Sequence, residues 1–281
     1  MSTSGFSTLK TALPDLGWWM AYFRNEEMPV LAATAEQLEL WRANEDAVDA
    51  NMMGEAIATD PLMTLKVLRF AADHRSSRLL TDAETVTAAL VLMGITPFFN
   101  AFGAQPTVEE RLEDKPEAYA GMLKVMRRAD RAARFALGFA AHRLDPDAAV
   151  IHSAALLHDF AEILLWAYAP DLALEIQRRQ EADPALRSAV AQRQVLHIVL
   201  ADLEQALMQE WHLPELLMRM TNDKRIYDPQ VQTVRLAVSL ARHTAVSWDN
   251  PAVPDDLRDL GNLLNLSQPH TLRLVQDIDT P

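Results

Sequence analysis

Cysteine is absent from all 281 residues. That excludes disulfides and thiolate chemistry, and it suits a reducing cytoplasm, the expected compartment. Glycine is scarce, at eight residues. No alternating β-branched run with hairpin turns occurs, and the long Ala-, Leu-, Glu- and Arg-rich runs favour helix over sheet. Positive charge is short: 26 Lys and Arg against 39 Asp and Glu leave a net charge of −13. Such a chain repels phosphate backbones, which argues against nucleic acid as a partner. Met1-Ser2-Thr3-Ser4-Gly5-Phe6 lacks a charged-then-apolar signal pattern. No uninterrupted apolar stretch is read as long enough to span a bilayer, so no transmembrane segment is expected. There is no internal repeat and no low-complexity segment.

What is present is apolar: 49% of the residues, ample for the core of one large or two small domains. The most apolar stretch, Ile151 to Pro170, reads as one buried helix. Yet it carries His152, His158, Asp159 and Glu162, which at about 100° per residue share roughly a third of the circumference. Buried polar groups are costly unless paired with each other, with other side chains or with a metal. The stretch therefore holds either a polar seam or a site, and adjacent imidazole and carboxylate form a divalent-metal half-site.

Around this helix the chain reads as a series of others. Leu16 to Phe23 packs four aromatics together, either as a helix docked on the core or as an anchor for a partner or membrane surface. Helices are predicted from Pro29 to Asn44, from Val48 to Ala58, and from a clear Asp60-Pro61 start. Thr81-Asp82-Ala83-Glu84 is a capping-box pattern for a helix ending at Gly94, and Thr96 to Phe102 is a short apolar piece. Gln105 to Glu117 reads as a linker. The helix from Ala118 to Arg143 carries Lys124, Arg127, Arg128, Arg131 and Arg134 on one broad face, either an anion site or a solvated face balanced by carboxylates. Beyond the central helix, Asp171 to Gln180 and Pro184 to Trp211 are predicted helical, with His197 and Glu204 one heptad apart on a shared face. Pro229 to Val246 follows, then two short helices in Asp255 to Val275, with the last six residues frayed.

Leu156-Leu157-His158-Asp159 resembles the signature of the HD superfamily of metal-dependent phosphohydrolases. The wider pattern resembles its HDOD branch, the HD-related output domain of bacterial signalling proteins. It is carried by Pro29-Val30-Leu31, Ile57 to Leu62 with Leu65 to Ala71, Ala88 to Gly94, Ala155 to Trp166, and Glu210-Trp211-His212-Leu213-Pro214. The resemblance implies an all-α, two-lobed fold with an N-terminal helical lobe packed on an HD-like bundle. In that frame residues 1–28 form an aromatic-rich extension, 29–245 the HDOD-like domain (lobes about 29–104 and 118–245), and 246–281 short helices packed on the second lobe.

A working HD site resembles one upstream His, the His-Asp pair and a distal Asp around one or two metals. His158 and Asp159 match the pair; Arg128 falls where the upstream His is expected, and Arg235 and Ser239 fall where the distal ligands are expected. Hydrolases need about three protein ligands and an open position, so the metal site is expected to be degenerate, with Arg128 pairing with Asp159 in the metal's place. No cofactor is expected; were a divalent metal held, its ligands would be His158 and Asp159 with His152, Glu162 or His197. The expectation is a non-catalytic bacterial signalling or scaffold protein that binds a protein partner or small ligand in the groove between lobes. Arg127, Arg128, Arg131, His158 and Asp159 are the candidate ligand-binding residues. The alternatives are a nucleotide phosphohydrolase and a nucleotide sensor without hydrolysis, both using the Arg127, Arg128 and Arg131 face for phosphate.

Overall fold

The computed structural model describes residues 8–74 and 82–280. Its helices, in order, are α1 Leu16–Asn25, α2 Ala32–Arg42, α3 Ala50–Ile57, α4 Pro61–Asp73, α5 Val86–Met93, α6 Ile95–Ala101, α7 Val108–Arg111, α8 Pro116–His142 and α9 Ala148–Leu157. Then come α10 Phe160–Tyr168, α11 Pro170–Ala182, α12 Ser188–Leu196, α13 Leu200–Glu210, α14 Glu215–Met220, α15 Pro229–His243, α16 Val253–Leu264 and α17 Gln268–Asp279. Among the described residues there is no strand, only an isolated bridge between Val30 and Thr107.

The fold is all-α and two-lobed, with a core in each lobe. Val30, Leu38, Ile57, Leu90 and Phe98 belong to the N-terminal one. The larger core is built on α8, α9, α10 and α15, where Phe135, Phe139, Ile151, Phe160 and Ala237 are fully buried. Helix α4 belongs to both: Met63 and Val67 face the first core, Leu62, Leu65 and Leu68 the second.

Asp60 explains how α4 is fixed. It is 0% exposed. One oxygen caps α4 by accepting from the backbone N–H groups of Leu62 and Met63 at 2.9 and 3.2 Å. The other accepts from Leu31 N–H and the Thr34 hydroxyl, at 3.0 and 2.8 Å, and so holds the start of α2. Helix α2 thus begins at Ala32, not at Pro29. Val30 is drawn into extended pairing beside Thr107, donating to Pro106 O and accepting from Val108 N–H, both at 2.9 Å.

Several expectations are corrected by such long-range contacts. The segment read as a linker contains α7, which opens with a capping box of Thr107 and Glu110 and buries Val108 completely. Helix α5 starts after Thr85, whose hydroxyl accepts from Ala88 N–H; Thr81 of the expected capping box lies outside the described residues. The stretch from Pro184 to Trp211 is two helices, because His197 takes a left-handed conformation (φ 64°) and ends α12. Of the last six residues, expected to be frayed, those up to Asp279 continue α17, and Pro281 lies outside the described residues.

The aromatic segment belongs to the core. On α1, Trp19 and Phe23 are buried, the Trp19 indole donates to Leu196 O at 3.1 Å, and of its aromatics Trp18 alone is exposed, at 60%. The segment Ala148–Tyr168, contrary to the sequence expectation, is long and apolar enough to cross a membrane. In the fold it is two helices, α9 and α10, broken at His158 and Asp159, and most of it is buried inside the protein.

Candidate functional site

The break between α9 and α10 creates the site. His158 and Asp159 leave the helix as a tight turn, and Asp159 then stands at the start of α10. Its carboxylate does not cap that helix; it is taken by side chains from elsewhere. From α8, Arg128 Nη2 donates to Asp159 Oδ2 at 2.9 Å and to Glu162 Oε2 at 2.7 Å. From α15, Arg242 Nη2 lies 3.2 Å from both Asp159 oxygens. His158 Nδ1 stands 3.1 Å from Asp159 Oδ1, and its Nε2 stands 3.2 Å from Asp223 Oδ1 in the turn after α14.

These pairings set the charge states. Burial alone would strip charge from Arg128, but Glu162 and Asp159 outweigh it and raise its pKa. Burial also opposes charge on His158, yet Asp159, Asp223 and Glu204 hold its pKa well above the ordinary imidazole value. Asp159, despite burial, is held well below the usual carboxylate range by Arg242, Arg128 and His158. Burial also pushes Asp223 up, and His158 and Arg235 more than reverse it. Glu204 on α13 goes the other way. Burial raises it well above the carboxylate range, Asp159 and Asp223 add to that, and His158 only partly offsets it. Glu204 is 4% exposed, and among the described residues its carboxyl has no hydrogen-bond partner.

A cleft of about 630 Å³ opens on this network, inside the HD-like lobe. Arg128, His158, Asp159, Glu162, Glu204 and Arg242 all line it. The groove between the lobes, where binding was expected, is a cavity of about 110 Å³ near Phe70, Met93 and Pro214.

Of the candidate residues, the structure brings Arg128, His158, Asp159 and Glu162 together and leaves four others out. Arg131 is turned to the C-terminus, where it pairs with Asp279 through Nε at 2.6 Å and Nη2 at 2.7 Å. Arg127 is exposed and does not line the cleft. His152 sits further back along α9, its pKa lowered by burial and partly restored by Asp130. His197, ending α12, bonds Leu13 O. The broad basic face of α8 is thus divided: Arg128 points inward, Arg131 to α17, and Arg134 to Asp130 on its own helix. From α15 it is Arg242, not Arg235 or Ser239, that reaches Asp159.

The donor set does not fit a resident metal. Both His158 ring nitrogens and both Asp159 oxygens already have protein partners, two of them guanidinium groups that repel a cation. Among the described residues no group of three or more His, Asp or Glu side chains is arranged to hold a metal ion.

The sequence matches the HDOD domain family over residues 28–226. No curated protein matches it. Among solved structures, the MmoQ response regulator from Methylococcus capsulatus str. Bath superposes with a TM-score of 0.65 at 20% identity, covering 89% of this chain and 98% of its own. A virulence factor from Campylobacter jejuni subsp. jejuni gives 0.67 at 15% identity, covering 94% and 98%. At these identities the likeness is one of fold.

Proposed function

The chain belongs to the HDOD family, and from that premise we propose that it is a cytoplasmic signalling or scaffold module that binds a partner protein or small ligand without catalysing a reaction. The observation that carries this reading is the capture of Asp159 by Arg128 and Arg242. A hydrolytic metal needs about three protein ligands and an open position for water. Here the central carboxylate is paired with protein cations instead, and hydrogen bonds to Asp159 and Asp223 raise the pKa of the imidazole beside it. No metal and no cofactor belong to this reading. A regulatory role also agrees with the description of one structural neighbour as a response regulator.

The test is the metal content of protein purified without chelators or a His-tag, beside a His158→Ala control, followed by an assay with bis(p-nitrophenyl) phosphate and added Mn²⁺. No bound metal and no turnover is the expected result. About one equivalent of a transition metal, lost in the variant and accompanied by hydrolysis, overturns the proposal.

A further inference from the structure

The cleft has a carboxyl group too many. Around Glu204, every element that contributes to the cluster brings charge: Arg128 from α8, His158 and Asp159 from the turn after α9, Glu162 from α10, Asp223 from the turn after α14, and Arg242 from α15. The three cations are matched by the three carboxylates Asp159, Glu162 and Asp223 through direct contacts. The nearby Lys224 is paired with Asp202 at 3.2 Å. Glu204, 4% exposed and lining the same cleft, has no hydrogen-bond partner among the described residues. Its carboxyl opens on the cleft, where a donor carried by a ligand can reach it.

We propose that the cleft takes a small organic cation bearing N–H donors, a guanidinium on a short aliphatic stem, with Glu204 as its counter-charge. The inference rests on the cleft being a binding site. Arg128 and Arg242 are both engaged by Asp159 through Nη2, so an anion has to displace that carboxylate to take those groups. A guanidinium supplies the missing donors and leaves the cluster balanced once Glu204 is ionised. A metal ion is a poor alternative occupant, since the two arginines stand where further ligands are needed and about 630 Å³ far exceeds one ion. Trp166, Leu165 and Ile176 in the same cleft offer apolar surface for the stem. A net charge of −13 draws such a ligand toward the protein.

The experiment compares n-butylguanidinium with n-butylurea, its neutral near-isostere, on the ¹⁵N-labelled full chain. The side-chain amides of Gln180 and Gln205 and the Trp166 indole, all in the cleft, report where each binds. The guanidinium is expected to bind at least about tenfold tighter than the urea, the scale of a charge-assisted over a neutral hydrogen bond. Glu204→Gln, which keeps the side-chain shape, is expected to abolish the preference while still unfolding cooperatively. Equal binding of the two probes overturns the proposal, as does a preference that survives in Glu204→Gln. Displacement by MgCl₂ but not by choline chloride assigns the carboxyl to a metal and overturns it too. Hydrolysis of a phosphodiester would sink the functional reading without touching this result; loss of the guanidinium preference sinks this inference alone.

Discussion

Arg128 reaches from the middle of α8 to within 2.9 Å of Asp159, bringing a fixed cation to the carboxylate that follows His158. The same guanidinium spans to Glu162 one turn later, so one side chain ties α8 to the start of α10.

Arg128→Ala therefore strands Glu162 and leaves Asp159 to Arg242 and His158 alone. The Arg128 and Asp159 side chains are 17% and 14% exposed, buried enough for the loss to be felt. Urea denaturation is expected to show a destabilisation of about 3 kcal/mol. Combining Arg128→Met with Glu162→Gln should recover part of it, because Glu162 then carries no unpaired charge and Asp159 keeps Arg242.

His158 has a folded pKa raised well above its unfolded value of about 6.5. Its contribution is fully present below the unfolded pKa and is lost as pH rises through the folded one. Melting temperatures from pH 5 to 10 should therefore fall on the alkaline side in the wild type. In His158→Gln that part of the fall disappears, and the protein is already less stable at neutral pH.

Glu204 works against stability as pH rises. Its folded pKa is raised, so the unfolded chain releases the proton first, from about pH 4.3 upward. Glu204→Gln should match the wild type near pH 4 and be the more stable protein at pH 8. A constant difference across that range, measured by thermal melts, would show that burial does not hold the proton on this carboxyl.

Gly121 on α8 lies against the indole of Trp166. A Cβ there would overlap three atoms of the ring, and Trp166 is 5% exposed. Gly121→Ala is expected to cost about 1–3 kcal/mol by overpacking. Because both residues line the cleft, the side-chain amide signals of Gln180 and Gln205 should shift with it.

The helical class, the Asp60-Pro61 start and the His-Asp pair were legible because each is written in consecutive residues. The break at His158 was not: Leu156 to Ala161 has ordinary helix propensity, and what fixes the turn comes from Arg128, Asp223 and Arg242, 31, 65 and 83 residues away. Arg131 looked equivalent to Arg128 on the same helix, and only the fold shows that Asp279 claims it. Glu204 was noted merely as a heptad neighbour of His197, and the left-handed turn at His197 dissolves that pairing. One local signal was available and read otherwise: Thr107-Val108-Glu109-Glu110 has the capping-box spacing, in a stretch assigned to a linker.

Helix α4 gives its side chains to two cores at once, and Asp60 anchors both α4 and α2. Neither lobe can shed this helix without exposing the other's apolar surface to water. The boundary between lobes is therefore not a seam along which the protein comes apart: heat or denaturant is expected to melt both in one transition, and a cut made between them takes a wall from the second lobe and leaves the outer apolar face of α4 bare on the first.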